Sequence, residues 1–213
     1  MRNWPIFRLR VTTPRLELRI PSLDDLDELG DRAAEGVHDP GFKPFLFPWT
    51  DAEPAGRARS TIQFQFGQWS QWSPEKWGCS FVAVLDGQVV GTQELAATDF
   101  AVTREVSTGS WIGQRFQGRG IGTEMRSAVL HLAFDGLGAQ HATSGAFADN
   151  HASYAVSRKL GYLDDGIQIH NRRGKAAQLR RLRLPRDRWS TPAGFEIHDL
   201  EPCLPLFGVS RTA

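Results

Sequence analysis

The sequence predicts an α/β fold of the α+β kind, with a mixed, mostly antiparallel central sheet and helices on both faces. Three observations carry that expectation. Short strands of alternating polarity are interleaved with helical stretches along the chain. Two apolar runs meet at Asp86-Gly87, a strong hairpin dipeptide. A glycine-rich turn, Gly118-Arg-Gly-Ile-Gly122, joins a β-leaning segment to an amphipathic helix.

The elements follow in order. Leu16, Leu18 and Ile20 alternate with Glu17 and Arg19, as in a half-buried strand. Ser22-Leu-Asp-Asp25 reads as a capping box with Asp in place of Glu, opening a helix through Leu23, Leu26 and Leu29. From Gly36 to Gly56, Pro40, Pro44, Pro48 and Pro54 stand among Phe42, Phe45, Phe47 and Trp49. Such a stretch is a poor helix, yet too apolar for a solvated linker. A helix with Ile62, Phe66 and Trp69 on one face is expected next, then a hairpin from Phe81–Leu85 to Val89–Leu95. Val106–Ile112 leads into the glycine turn, and Ile121, Met125, Ala128, Val129 and Leu132 recur at helical spacing after it. A strand from Ala142 to Ala148, a helix beginning at Asn150, and strands near Gln168 and at Leu179–Leu184 complete the sheet. No internal repeat is visible.

Composition bounds the rest. A chain of 213 residues with 40% hydrophobic content can bury a core, and residues 1–189 read as a single domain. The tail, residues 190–213, is too apolar for disorder and is expected to dock on its own body or on a neighbouring subunit. With the tryptophans Trp69, Trp72 and Trp77 it motivates a homo-oligomer. A formal net charge of +1 gives no global pull toward nucleic acid or anionic membrane. Arginines cluster late, from Arg172 to Arg188, where sheet-edge gatekeeping is the default role. Two cysteines, Cys79 and Cys203, make neither a disulfide framework nor a metal site. An apolar signal core and a spanning segment are both lacking, so a cytoplasmic protein without a membrane partner is expected.

The glycine turn is where the chemistry begins. Missing side chains let an anion approach the backbone, and the following helix presents free N–H groups and the positive end of its dipole. That is a receptor for a pyrophosphate. A nucleotide-phosphate loop would need a lysine after its last glycine, and here Thr123 follows Gly122 directly. A dinucleotide fingerprint would need G-x-G-x-x-G, whereas the spacing is G-x-G-x-G. The pattern that fits is Arg115-Phe-Gln117-Gly118-Arg119-Gly120. A second motif, Asn150-His-Ala-Ser153 through Gly161-Tyr162, follows about thirty residues on, with Asn at a helix start and Gly at its end.

Together these segments resemble the GNAT acyl-CoA N-acyltransferases. Thr13-Pro-Arg-Leu-Glu-Leu-Arg-Ile-Pro21 is similar to the opening of their RimJ/RimL-like branch, and the resemblance covers about residues 11 to 185. Trp4-Pro-Ile-Phe7 and Glu35-Gly-Val-His-Asp-Pro40 look close to an actinobacterial subgroup, some members of which are credited with succinyl transfer. The resemblance implies a GNAT fold, acetyl-CoA or another acyl-CoA as co-substrate, succinyl-CoA included, and no metal. It assigns the cofactor to Trp111, Ile112, Gly113, Arg115, Gln117, Gly118, Arg119, Gly120, Ile121, Gly122 and Thr123, with Asn150 and Ser153. It puts the oxyanion donor at a backbone N–H of Trp111 to Gly113, and Ser153 beside the thioester sulfur.

Acyl transfer to an amine needs that amine neutral. An α-amine, of ordinary pKa about 7.7–8.0, needs little help, whereas a lysine at about 10.4 needs a base. Many RimJ/RimL relatives carry a glutamate where this chain has Ser107, so the candidates are Glu94 on the preceding strand and Glu105 on the same strand. Either could hold a water that takes the proton; each could also be a solvated strand-edge carboxylate. His38 is a candidate substrate contact from the aromatic loop. The expected acceptor is a protein N-terminus or a lysine. A metabolite or antibiotic amine keeps the chemistry with another acceptor, and a coenzyme A-binding sensor without turnover is the reading from another class.

Overall fold

The computed structural model describes residues 1–209. The strands are β1 (Arg10–Thr12), β2 (Leu16–Arg19), β3 (Lys76–Leu85), β4 (Gln88–Thr98), β5 (Glu105–Ile112), β6 (His141–Phe147), β7 (Leu163–Arg172), β8 (Lys175–Pro185) and β9 (Glu196–His198). They form one sheet in the order β7-β8-β6-β5-β4-β3-β2-β1-β9. The helices are α1 (Leu23–Glu35), α2 (Pro54–Ser70), a single turn α3 (Phe100–Thr103), α4 (Ile121–His131) and α5 (His151–Lys159). Helices α1 and α2 pack together on one face, while α4 and α5 cover the other. None of these helices is long and apolar enough to cross a membrane.

Local chemistry explains the elements that the sequence signalled. The Ser22 hydroxyl accepts from the Asp25 N–H at 3.1 Å, and the Asp25 carboxylate accepts from the Ser22 N–H at 2.9 Å, a reciprocal cap on α1. At the β3–β4 turn, Asp86 and Gly87 both have positive φ, 51° and 78°, which matches the right-handed twist of the flanking strands.

Helix α2 departs from the expectation. Its inward residues are Thr61 and Gln65, whereas Phe64 and Phe66 are exposed and Trp69 is half-buried against Phe7. The face toward the sheet is polar because a cavity, not a packed core, lies beneath it. An extra strand pair also appears: β9, from the tail, adds to β1, with Val11 opposite Ile197. Cys203, Leu204 and Phe207 are buried in the main core, Trp77 meets Phe207 at 4.8 Å, and the Trp72 indole N–H donates to the Leu206 carbonyl at 2.8 Å. The tail and two of the three tryptophans therefore spend their apolar surface on this chain's own body. Asp135 fixes the approach to the tail, accepting from Arg186 and His131 at 2.7 and 2.8 Å and from Trp189 and Thr191.

One feature of the topology creates the site. Among the described strands, β5 and β6 are the one parallel pair, and they match only at Glu105–His141, Val106–Ala142 and Ser107–Thr143. Beyond Ser107, β5 stays with β4 as far as Ile112, while β6 stays with β8 as far as Phe147. The two strands part, and a gap opens through the middle of the sheet.

Candidate active site

On one side of the gap lies the glycine turn. Gly118 and Gly120 are left-handed, with φ of 74° and 78°, a conformation natural to glycine. Gly120 starts α4 with no side-chain cap, so the first N–H groups of the helix are left for a ligand. A side chain at Gly118 would meet nothing within 4 Å, so the turn is open above. This donor set suits a pyrophosphate and therefore the coenzyme the sequence implies.

The turn is braced from outside by residues the sequence reading did not assign. Arg15 bonds Glu124 at 2.7 Å and the Arg119 carbonyl at 3.2 Å, and the Thr13 hydroxyl donates to Glu124 at 2.6 Å. Two residues of the motif look elsewhere than the turn. Gln117 donates to the carbonyls of Val37 and Ile112, at 2.8 and 2.9 Å, and so ties strand end to loop. Arg115 lies over the Phe116 ring and pairs with Glu35 at 3.5 Å.

The strand edge can be resolved further. The Gly113 N–H is already bonded to the Val90 carbonyl at 2.9 Å. Alternation in an antiparallel ladder then turns the N–H groups of Ile112 and Ser110 toward the β6 side. Of the expected segment Trp111 to Gly113, Ile112 is the residue with an N–H facing the gap.

Through the gap runs a cavity of about 530 Å³. Its lining includes Ser153 and Asn150 at the start of α5, Arg126 on α4, Thr108–Trp111 on β5, Glu94 on β4, and Phe45, Phe47 and Trp49 of the aromatic loop. Asn150 caps α5 by accepting from the Ser153 N–H at 3.1 Å, which leaves its side chain beside the cavity as part of a helix cap.

Glu94 is partly buried, and burial pushes its carboxyl above the ordinary range. Oε1 accepts from the Gln68 amide of α2 at 3.0 Å. Oε2 lies 3.3 Å from where a side chain on Gly109 would begin, so the cross-strand glycine makes room for it. The Gln68 amide in turn occupies the space above Gly78. No sequence signal pointed to Gln68, because the contact joins a helix to a strand 26 residues away. Glu94 and Gln68 also border a second cavity, of about 410 Å³.

The other candidates are placed differently. Glu105 shares a strand face with Gly109, but its carboxylate is paired with Arg183 across β6, so it is no free base. Its strand position was right; the partner came from a distant strand. His38 packs against Phe42 and Phe45 with Nδ1 2.9 Å from the Asp39 carbonyl, and it lies outside the cavity lining. As a substrate contact it is not supported by this position.

Arg126 is the unforeseen residue. It is 4% exposed, and burial lowers its pKa. Nη1 donates to the Ser157 hydroxyl at 2.7 Å, while the buried Nε has no partner. The Ser157 hydroxyl donates on to the Ser153 carbonyl at 3.1 Å. A buried guanidinium with no carboxylate among its hydrogen bonds is electrostatically costly, which marks the cavity as a place for an acceptor group.

Comparison with known proteins agrees with this geometry. A family model described as the acetyltransferase (GNAT) domain matches residues 15–163. The chain is 31% identical over 83 residues to a Bacillus subtilis (strain 168) protein named "Putative ribosomal N-acetyltransferase YdaF"; the match spans 39% of this chain and 45% of that protein. Among solved structures, Mycobacterium smegmatis RimJ in complex with CoA-disulfide superposes with a TM-score of 0.68 at 19% identity, covering 84% of this chain and 86% of that one. RimL, described as a ribosomal L7/L12 alpha-N-protein acetyltransferase in complex with coenzyme A, gives 0.66 at 17%, covering 83% and 97%. The glycine turn, the parted strands and the family match converge: this chain belongs to the acetyltransferase (GNAT) domain family.

Proposed function

We propose that this chain is an enzyme that moves an acyl group from a coenzyme A thioester to a primary amine by direct attack. The observation that carries the reading is a single cavity through the parted strands that both Ser153 and Glu94 line. The pyrophosphate is held by the Gly118–Thr123 backbone. The amine nitrogen attacks the thioester carbonyl, the carbon–sulfur bond breaks, and the amine's proton passes to Glu94, directly or through a water. The Ile112 N–H faces the gap where an oxyanion donor is needed. A serine hydroxyl is a poor acid, so Ser153 supports the departing thiolate as a hydrogen-bond donor.

The acceptor that fits the relatives' names is a protein amine, an N-terminus or a lysine, met in the cytoplasm; acetyl is the first donor on family breadth. Ser153→Ala should lower turnover by roughly ten- to a few-hundred-fold, the scale of one or two charge-assisted hydrogen bonds. The donor KM should move little, because the bond strengthens in the transition state. Steady-state assays on an α-amine peptide and a lysine peptide measure both, and unchanged turnover removes Ser153 from the mechanism. Coenzyme A binding with no turnover on any amine would instead identify a sensor.

Arg126 favours a second reading of the donor. A terminal carboxylate on the acyl group would give the buried guanidinium the anion it lacks, as succinyl-CoA would. Acetyl- and succinyl-CoA compared at equal concentration decide between them. A tenfold or greater preference for succinyl-CoA, about 1.4 kcal/mol, overturns the acetyl choice.

A further inference from the structure

The acceptor end of the cavity has a chemistry of its own. Phe45, Phe47 and Trp49 from the loop, Phe64 from α2 and Trp111 from β5 line it. Trp49 meets Phe45 at 5.2 Å and Trp111 at 5.6 Å, so three of these rings form one continuous wall. Phe47 and Phe64 are 75% and 51% exposed, unusually bare for rings at a cavity edge.

Two of the loop's three carboxylates, Asp39 and Asp51, are already engaged, and the third, Glu53, lies outside the cavity lining. Asp39 accepts from the Gln114 amide at 2.6 Å. Asp51 is held between Arg173 and Lys43, at 2.6 and 2.7 Å. Among the described residues that line the cavity, Glu94 is the one carboxylate, and the cation Arg126 lines it too. A substrate with several ammonium groups would find one partner and one repulsive charge.

The aromatic wall is also fixed in place. The tip of the β7–β8 hairpin clasps the loop: Arg172 donates to the Lys43 carbonyl at 3.1 Å and Arg173 to the Phe45 carbonyl at 3.0 Å. Arg172 is itself anchored to Asp149 at 2.6 Å. A wall held at two carbonyls is preorganised, so its shape can discriminate between substrates.

From this we propose that the acceptor is an amine carried beside an aromatic or large aliphatic group, and that polycationic amines are poor substrates. The inference rests on the acyl-transfer reading and deepens it. The same chemistry can come from a peptide whose first residue is apolar or from a free arylalkylamine.

The experiment separates those sources with acetyl-CoA, or with succinyl-CoA if that is the better donor. One arm uses peptides that differ only in a first residue of Phe, Leu, Ser or Lys; the other uses phenethylamine, ethylamine and spermidine. Within the active arm, kcat/KM for the apolar member should exceed that for its polar or polycationic counterparts by roughly ten- to a hundred-fold, the range a few methylenes supply in an apolar pocket. Phe47→Ser and Phe64→Ser remove exposed rings and leave the core untouched, so both should fold. Each should shrink that ratio by roughly threefold or more, chiefly through KM. A flat series, a preference for spermidine, or an apolar preference unmoved in both variants overturns the inference while leaving acyl transfer standing. Coenzyme A binding with no amine turned over removes the acyl-transfer reading, and this inference falls with it.

Discussion

Glu94→Gln should lower turnover by about two to four orders of magnitude, the usual worth of a positioned base, and should at the same time make the protein more stable at neutral pH. Both effects come from one fact. Burial raises the Glu94 carboxyl above its ordinary value, so the folded state favours the protonated form. The linkage sign follows. The stability associated with that proton is fully present below the unfolded carboxylate value, and it is lost as pH rises from there through the raised folded value. Glutamine keeps the shape and can still accept from Gln68, but it carries no charge to desolvate. The melting temperature of the variant should therefore exceed that of the native chain at about pH 7.5 and match it at about pH 4, below the ordinary glutamate pKa. Native activity should climb with pH on a limb set by the raised carboxyl, and that limb should vanish in the variant. The rate loss should be larger on a lysine acceptor than on an α-amine, because the lysine holds its proton more tightly. A folded Glu94→Gln enzyme with native turnover would move the base elsewhere.

Gly120→Asp should abolish coenzyme A binding and leave the fold intact. The residue sits at φ 78°, where Asp is among the less disfavoured replacements for glycine. A side chain there would begin 3.6 Å from an Arg15 Nη, which would hold the new carboxylate at the mouth of the turn. A fixed negative charge within about 4 Å of a phosphate costs on the order of 4 kcal/mol in a part-solvated site, near a thousandfold in affinity. Titration calorimetry should show at least a hundredfold loss, and the melting temperature should stay within a few degrees of native. Unchanged affinity in a folded variant would remove the turn from the coenzyme site.

The glycine turn and Glu94 differ in how much of each a short stretch of sequence carries. The turn was readable because its requirements are local: left-handed glycines, an uncapped helix start and no lysine can all be seen in a few consecutive residues. The same holds for the Ser22 cap, the Asp86-Gly87 turn and the Asn150 cap. Glu94 was the first of two candidates in the sequence, with Glu105 behind it. The sheet separated them, by putting Arg183 against Glu105 and by placing Glu94, beside Gln68, in the cavity that Ser153 also lines.

What the sequence determined by itself was the order of the elements and the strand–turn–helix with its open glycine turn, since backbone conformation and capping depend on near neighbours. The polar inner face of α2, the docking of the tail beside β1, the contacts of Gln117 with Val37 and of Arg115 with Glu35, and the buried Arg126 were decided by tertiary structure alone. Each depends on contacts between segments distant in the chain. A side chain's burial and charge state are set by such partners, and hydrophobic periodicity cannot show whether the surface opposite is a packed core or a cavity.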